Sequence, residues 1–181
     1  MPENEQPTLM NPKKDSVTTM EDGRPIRHLI EGVVIQPAET LADERGTLCQ
    51  ISALALAAHP APLVYVYQFT IRPGMIKGWH VHYLHDDRIF LSQGSVKVVL
   101  FDNRPESPTY RMVNEIYRTE HQRTLMVIPA NVYHAHQNVG STEALFISMP
   151  TRPYNHNDPD VYRLPLDTTE IPYSFERRIG W

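Results

Sequence analysis

From residue 29 onward, apolar and polar residues alternate in short runs cut by Gly, Pro, Asn and Asp, the texture of an all-β domain. Leu63, Tyr65, Tyr67, Phe69 and Ile71 share one face of an extended chain, with Val64, Val66, Gln68, Thr70 and Arg72 on the other, which predicts a strand. Similar segments fall at 29–35, 47–51, 88–91, 95–101, 111–116, 124–128, 135–138 and 145–148, the spacing of a sandwich or jelly roll. Residues 53–58, rich in Ala and Leu, are expected to form a short helix. Residues 1–27 are polar with scattered apolar positions, so a flexible N-terminal arm is expected ahead of one domain over 28–181. Prolines at 150, 153, 159, 165 and 172 exclude a long helix near the end, and 151–181 are expected to wrap the barrel as loops and short turns.

Composition narrows the partners. The 181 residues carry a net charge of -4 without any dense basic block, so neither nucleic acid nor an anionic membrane is an expected partner. Cys49 is the single cysteine, which excludes an internal disulfide framework and a cysteine-based zinc site. The longest apolar run, 51–58, is far short of the roughly 20 residues of a membrane span, and 1–23 lack the apolar stretch of a secretory signal. A cytoplasmic protein is expected.

Nine histidines are many for this length, and His80, His82, His85 and His134 sit where a barrel interior can gather them. In Gly74-Met75-Ile76-Lys77-Gly78-Trp79-His80-Val81-His82, two imidazoles two residues apart on a strand point to one face. Asp87 and Gly94 follow, and later comes Pro129-Ala130-Asn131-Val132-Tyr133-His134-Ala135-His136-Gln137-Asn138. This resembles the cupin pattern of Gly, His-x-His, Glu and Gly, then Pro-x-Gly, His and Asn. Asp87 stands for its Glu and Asn131 for its second-motif Gly. The resemblance implies a cupin jelly-roll barrel. One reading of His80, His82, Asp87 and His134 is a ligand set for divalent Fe, Mn, Ni or Zn, as in a metal-dependent, dioxygenase-like cupin. The other is a metal-free barrel whose imidazoles hydrogen-bond or touch substrate.

Asp43-Glu44-Arg45-Gly46, Lys77-Gly78-Trp79-His80 and Asp102-Asn103-Arg104-Pro105-Glu106-Ser107-Pro108-Thr109-Tyr110 occur in that order. Together they resemble the dTDP-4-dehydrorhamnose 3,5-epimerase family over roughly residues 33–154. The resemblance implies an isomerase without a cofactor that acts on a nucleoside-diphosphate 4-keto-6-deoxyhexose in polysaccharide biosynthesis. It abstracts a proton next to the ketone and reprotonates from the opposite face. His80 takes the role of base and Lys77 that of partner to the enolate oxygen. A regular strand would point Lys77 away from His80, so a bulge at Gly78 is expected. Arg45, by the resemblance, reaches the diphosphate of a neighbouring subunit in a homodimer. His82, His134, Arg104 and Tyr154 are the remaining substrate-binding candidates. Bland readings stand beside these: Arg45 as a surface cation, and Asp102 with Arg104 as a turn-stabilising pair.

Two departures bear on the chemistry. Where the family has its acid tyrosine, this chain has Ser148, whose hydroxyl is far too weak an acid to replace a phenol. The family's histidine-orienting aspartate has Asp158 and Asp160 as its nearest counterparts, too soon after Tyr154. His82 stands where the family has Gln, and His-x-His also occurs in related sugar 3,4-ketoisomerases. A different proton shuffle and a non-catalytic sugar-nucleotide binder therefore stay open.

Overall fold

The computed structural model describes residues 14–23 and 25–175. Two five-stranded antiparallel sheets face each other. One has the order β1 (Val34–Pro37), β9 (Thr124–Ile128), β6 (Asp87–Gln93), β11 (Ala144–Ser148), β4 (Tyr67–Ile71). The other runs β12 (Tyr162–Arg163), β5 (Ile76–Val81), β10 (Val132–Asn138), β7 (Ser95–Asp102), β8 (Val113–Thr119). A separate hairpin, β2 (Thr40–Asp43) and β3 (Gly46–Cys49), precedes the helix α1 (Ile51–Ala58). This is the expected all-β jelly roll of the cupin type.

Alternation explains both its inside and its outside. On β6, Ile89 and Leu91 join the barrel core with Val96, Val98 and Leu100 of β7 and Phe146 of β11, while Phe90 points outward beneath α1. On the other sheet Trp79, Val99, Phe101 and Ala135 point outward and are covered by Leu164, Ile171, Tyr173 and Phe175. The proline-rich tail thus wraps the barrel as expected, and it contributes β12 to the sheet edge. Burial on both faces makes these strands read as apolar runs, each fully buried large side chain contributing about 2 kcal/mol.

Several boundaries differ from the sequence pattern for visible reasons. The strand expected from residue 63 starts at Tyr67, because the buried guanidinium of Arg88 takes the carbonyls of Ala61 and Pro62 at 2.7 and 2.9 Å. The strand expected from residue 111 starts at Val113, because Arg111 adopts φ +68° at the end of a turn. The expected arm lies largely outside the described residues. Its described part makes an exposed turn in which Thr19 bridges Pro25.

Candidate active site

One end of the barrel interior is polar. Along β4 the inward residues run Tyr67, Phe69, Ile71; along β6 they run Asp87, Ile89, Leu91; along β10 they include His134 and His136. These polar ends, with Lys77, His80, His82 and Arg163, enclose a cavity of about 180 Å³. It meets a cleft of about 570 Å³ bordered by Tyr65, Leu84, His85, Arg152, Tyr154 and His156. Tyr67, His82 and Val161 line both.

Lys77 and His80 share the inner cavity because the β5–β10 ladder slips between them. His80 pairs with His134 and Lys77 with His136, so three steps on β5 oppose two on β10. Gly78 permits this at φ +155°, and a Cβ there would stand 2.3 Å from that of Ala135. Lys77 Nζ lies 5.4 Å from the centre of the Phe69 ring. His80 pairs with Arg163 across β12, and burial, then the Arg163 charge, pushes its imidazole down to about 4. It is therefore neutral near pH 7, as a proton acceptor must be.

Other expected positions fall differently. Asp160 does not orient His80. Its carboxylate accepts the backbone N–H groups of Tyr83 and Leu84 at 2.9 and 2.8 Å and pairs with His85 Nδ1 at 2.9 Å, while its carbonyl accepts from His82 Nδ1. Asp158 borders the outer cleft and, among the described residues, hydrogen-bonds no histidine. Arg104 is not in the cavity either. It pairs with Asp102 at 2.8 Å, beside the hydroxyls of Ser107 and Thr109, and donates to the Glu31 carbonyl, so the Asp102–Tyr110 motif is a turn brace. Arg45 stands at the β2–β3 turn, paired with Asp43 and 81% exposed, outside its own chain's cavity. His82 and His134 line the inner cavity and Tyr154 the outer cleft.

Of the four metal-ligand candidates, Asp87 is approached by His82 and His134 but forms no ion pair with His80; His85 stands there instead. Burial raises the Asp87 carboxyl, yet the hydrogen bond to His82 and the surrounding imidazoles hold it well below the usual carboxylate range. Ser148 is fully buried. Directly across the ladder stands Tyr67, whose phenol is pushed up by burial and by the Asp87 charge and so stays protonated at neutral pH. Among cavity residues the sequence motifs did not assign, Arg163 has no signal at all, since a two-residue strand places it.

A buried neutral imidazole, an ammonium group and a phenol line one polar end of a cupin-type barrel that opens onto a larger cleft, groups able to take up, stabilise and return a proton. The sequence profile of the dTDP-4-dehydrorhamnose 3,5-epimerase family matches residues 27–177, and the chain belongs to that family. It is a sugar-nucleotide epimerase. Similar proteins include the spore coat polysaccharide biosynthesis protein SpsL of Bacillus subtilis, 30% identical over 81% of this chain and 97% of that one. The probable low-salt glycan biosynthesis epimerase Agl13 of Haloferax volcanii is 28% identical over 76% of this chain and 89% of its own length. A dTDP sugar isomerase from Desulfovibrio desulfuricans G20 shares the fold at a TM-score of 0.74, with 24% identity over 80% of this chain and 91% of that chain.

Proposed function

We propose that this chain epimerises a nucleoside-diphosphate-linked 4-keto-6-deoxyhexose of the kind used in polysaccharide biosynthesis, with His80 as the base. The His80 imidazole takes the proton from a carbon next to the ketone, and the electron pair moves onto the carbonyl oxygen. Lys77 donates a hydrogen bond to that oxygen as charge develops on it. Tyr67 returns a proton to the carbon from the other face, a phenol on β4 replacing one that Ser148 cannot supply from β11. The observation that carries the reading is the slip at Gly78, which puts Lys77 and His80 in one cavity.

The outer cleft suits the nucleotide. Arg152 offers positive charge for a diphosphate, and Tyr65 and Tyr154 offer ring faces for a base. A homodimer is supported by the β2–β3 hairpin, which among the described residues pairs with no other strand and exposes Leu41 at 65% and Leu48 at 54%. A partner's cavity is the natural place for the Arg45 guanidinium. A cytoplasmic setting agrees with the free Cys49 and with a nucleotide-sugar substrate.

The test is incubation with dTDP-4-keto-6-deoxyglucose, followed by proton NMR. An epimerised sugar is the expected product. Binding of this sugar nucleotide with no conversion would make the chain a non-catalytic binder instead.

A further inference from the structure

The proton transfers assigned to His80 and Tyr67 leave Asp87, His82, His134 and His85, where the cavity meets the outer cleft, without a task. Asp87 is 4% exposed, and its Oδ1 has no hydrogen-bond partner. Three imidazoles converge on it. His82 Nε2 lies 3.3 Å and His134 Nε2 3.6 Å from Oδ2, and His85 Nε2 lies 3.7 Å from Oδ1.

The second nitrogen of each ring is already committed. His82 Nδ1 meets the Asp160 carbonyl, His85 Nδ1 meets Asp160 Oδ2 at 2.9 Å, and His134 Nδ1 meets the Val132 carbonyl at 3.3 Å. Carbonyl and carboxylate oxygens only accept, so each Nδ1 carries a hydrogen and each Nε2 is left to face the Asp87 carboxylate. A hydrogen on His82 Nε2 makes its hydrogen bond to Asp87 and leaves the His85 and His134 nitrogens facing the carboxylate. The His134 and His85 separations of 3.6 and 3.7 Å exceed a normal N–H···O bond. They approach the spacing of about 3.0–3.4 Å between atoms that share one ion at about 2.1 Å. Ligand atoms of His82, His85 and Asp87 all lie within 4.8 Å of one another. Imidazoles whose far N–H is held by a carbonyl or carboxylate are the usual supporting arrangement of a histidine metal site.

We infer that His82, His85 and Asp87 bind one divalent first-row transition cation, and that Asp160 positions both rings. Two imidazoles and a carboxylate suit Zn²⁺, Fe²⁺, Mn²⁺ or Ni²⁺. The site goes beyond the epimerase reading, since the proton transfers assigned above need no ion, and it is tested without substrate.

The chain is stripped with chelator, shown folded by circular dichroism, and titrated with Co²⁺ while visible absorption and calorimetric heat are followed. One Co²⁺ per chain is expected, with ligand-field bands that Zn²⁺ displaces and a melting temperature raised by either ion. His85→Ala should abolish the bands, and Asp160→Asn, which keeps all three ligands, should weaken binding about 10- to 100-fold. Two variants guard against loss of folding, and each is scored only against its own circular dichroism spectrum. Absence of saturable Co²⁺ binding by the folded chain, or binding unchanged in folded His85→Ala, would overturn the site.

Discussion

His80 stands beside Arg163 and near Lys77, and with its burial these cations keep the ring unprotonated and able to accept a proton from carbon. Replacing it with Ala should cost about 10²- to 10⁴-fold in kcat, with the melting temperature and sugar-nucleotide affinity nearly unchanged, as steady-state kinetics and calorimetry would read. Tyr67→Phe should fail differently, because it removes the returning acid and spares the base. Solvent deuterium should still enter the substrate while inverted product falls, and equal losses of both would contradict the assignment. At this scale the sequence was informative where spacing carries chemistry: the interval from Gly74 to His82 and the placement of His134 locate the cavity. It was uninformative where pairing carries it. Arg163 reaches His80 only because Tyr162 and Arg163 add to the edge of β5, and Tyr67 matters only because Ser148 faces it.

Among the elements, β5 holds the site together through one residue without a side chain. Gly78→Ala would drive a methyl group against Ala135 Cβ at 2.3 Å, so relaxing the slip should cost about 3 kcal/mol in urea unfolding and turn Lys77 from the cavity. The turn after β7 is a separate brace. Burial pushes the Asp102 carboxyl up, but Arg104, Ser107 and Thr109 outweigh it and hold the group well below the usual carboxylate range. A group with a depressed folded pKa stabilises fully above its unfolded value, near 3.8, and loses that contribution as pH falls toward the folded value. Asp102→Asn should therefore lower stability at pH 7 by about 2 kcal/mol and flatten the acid limb below pH ~4 in a pH series of thermal melts. Strands with clean alternation were legible in the sequence. β2 was not, because its residues Thr-Leu-Ala-Asp are all exposed and its ladder among the described residues is to β3. Arg88, whose guanidinium lies against backbone carbonyls, shows why a charged letter does not mark a surface position.

For the whole molecule, fold and family were readable from motif order, whereas the fate of the motifs was decided by packing. Arg104 closes a turn, Asp160 serves His82 and His85, and Arg45 lies outside its own chain's cavity. That last placement makes assembly part of the proposed chemistry. Arg45→Ala should raise KM more than it lowers kcat. Mixing Arg45→Ala chains with His80→Ala chains should restore some activity, because a hybrid dimer holds one site with both residues intact. A monomer by light scattering at assay concentration, or no recovery after subunit exchange, would count against a shared site. The central claim is that His80 removes a proton from carbon beside a ketone, and the most direct measurement is mass spectrometry of dTDP-4-keto-6-deoxyglucose recovered from D₂O. The wild-type chain should place deuterium at carbon 3 or carbon 5, and His80→Ala should place none above the uncatalysed background. No deuterium with the wild-type chain, or undiminished exchange with His80→Ala, would contradict it.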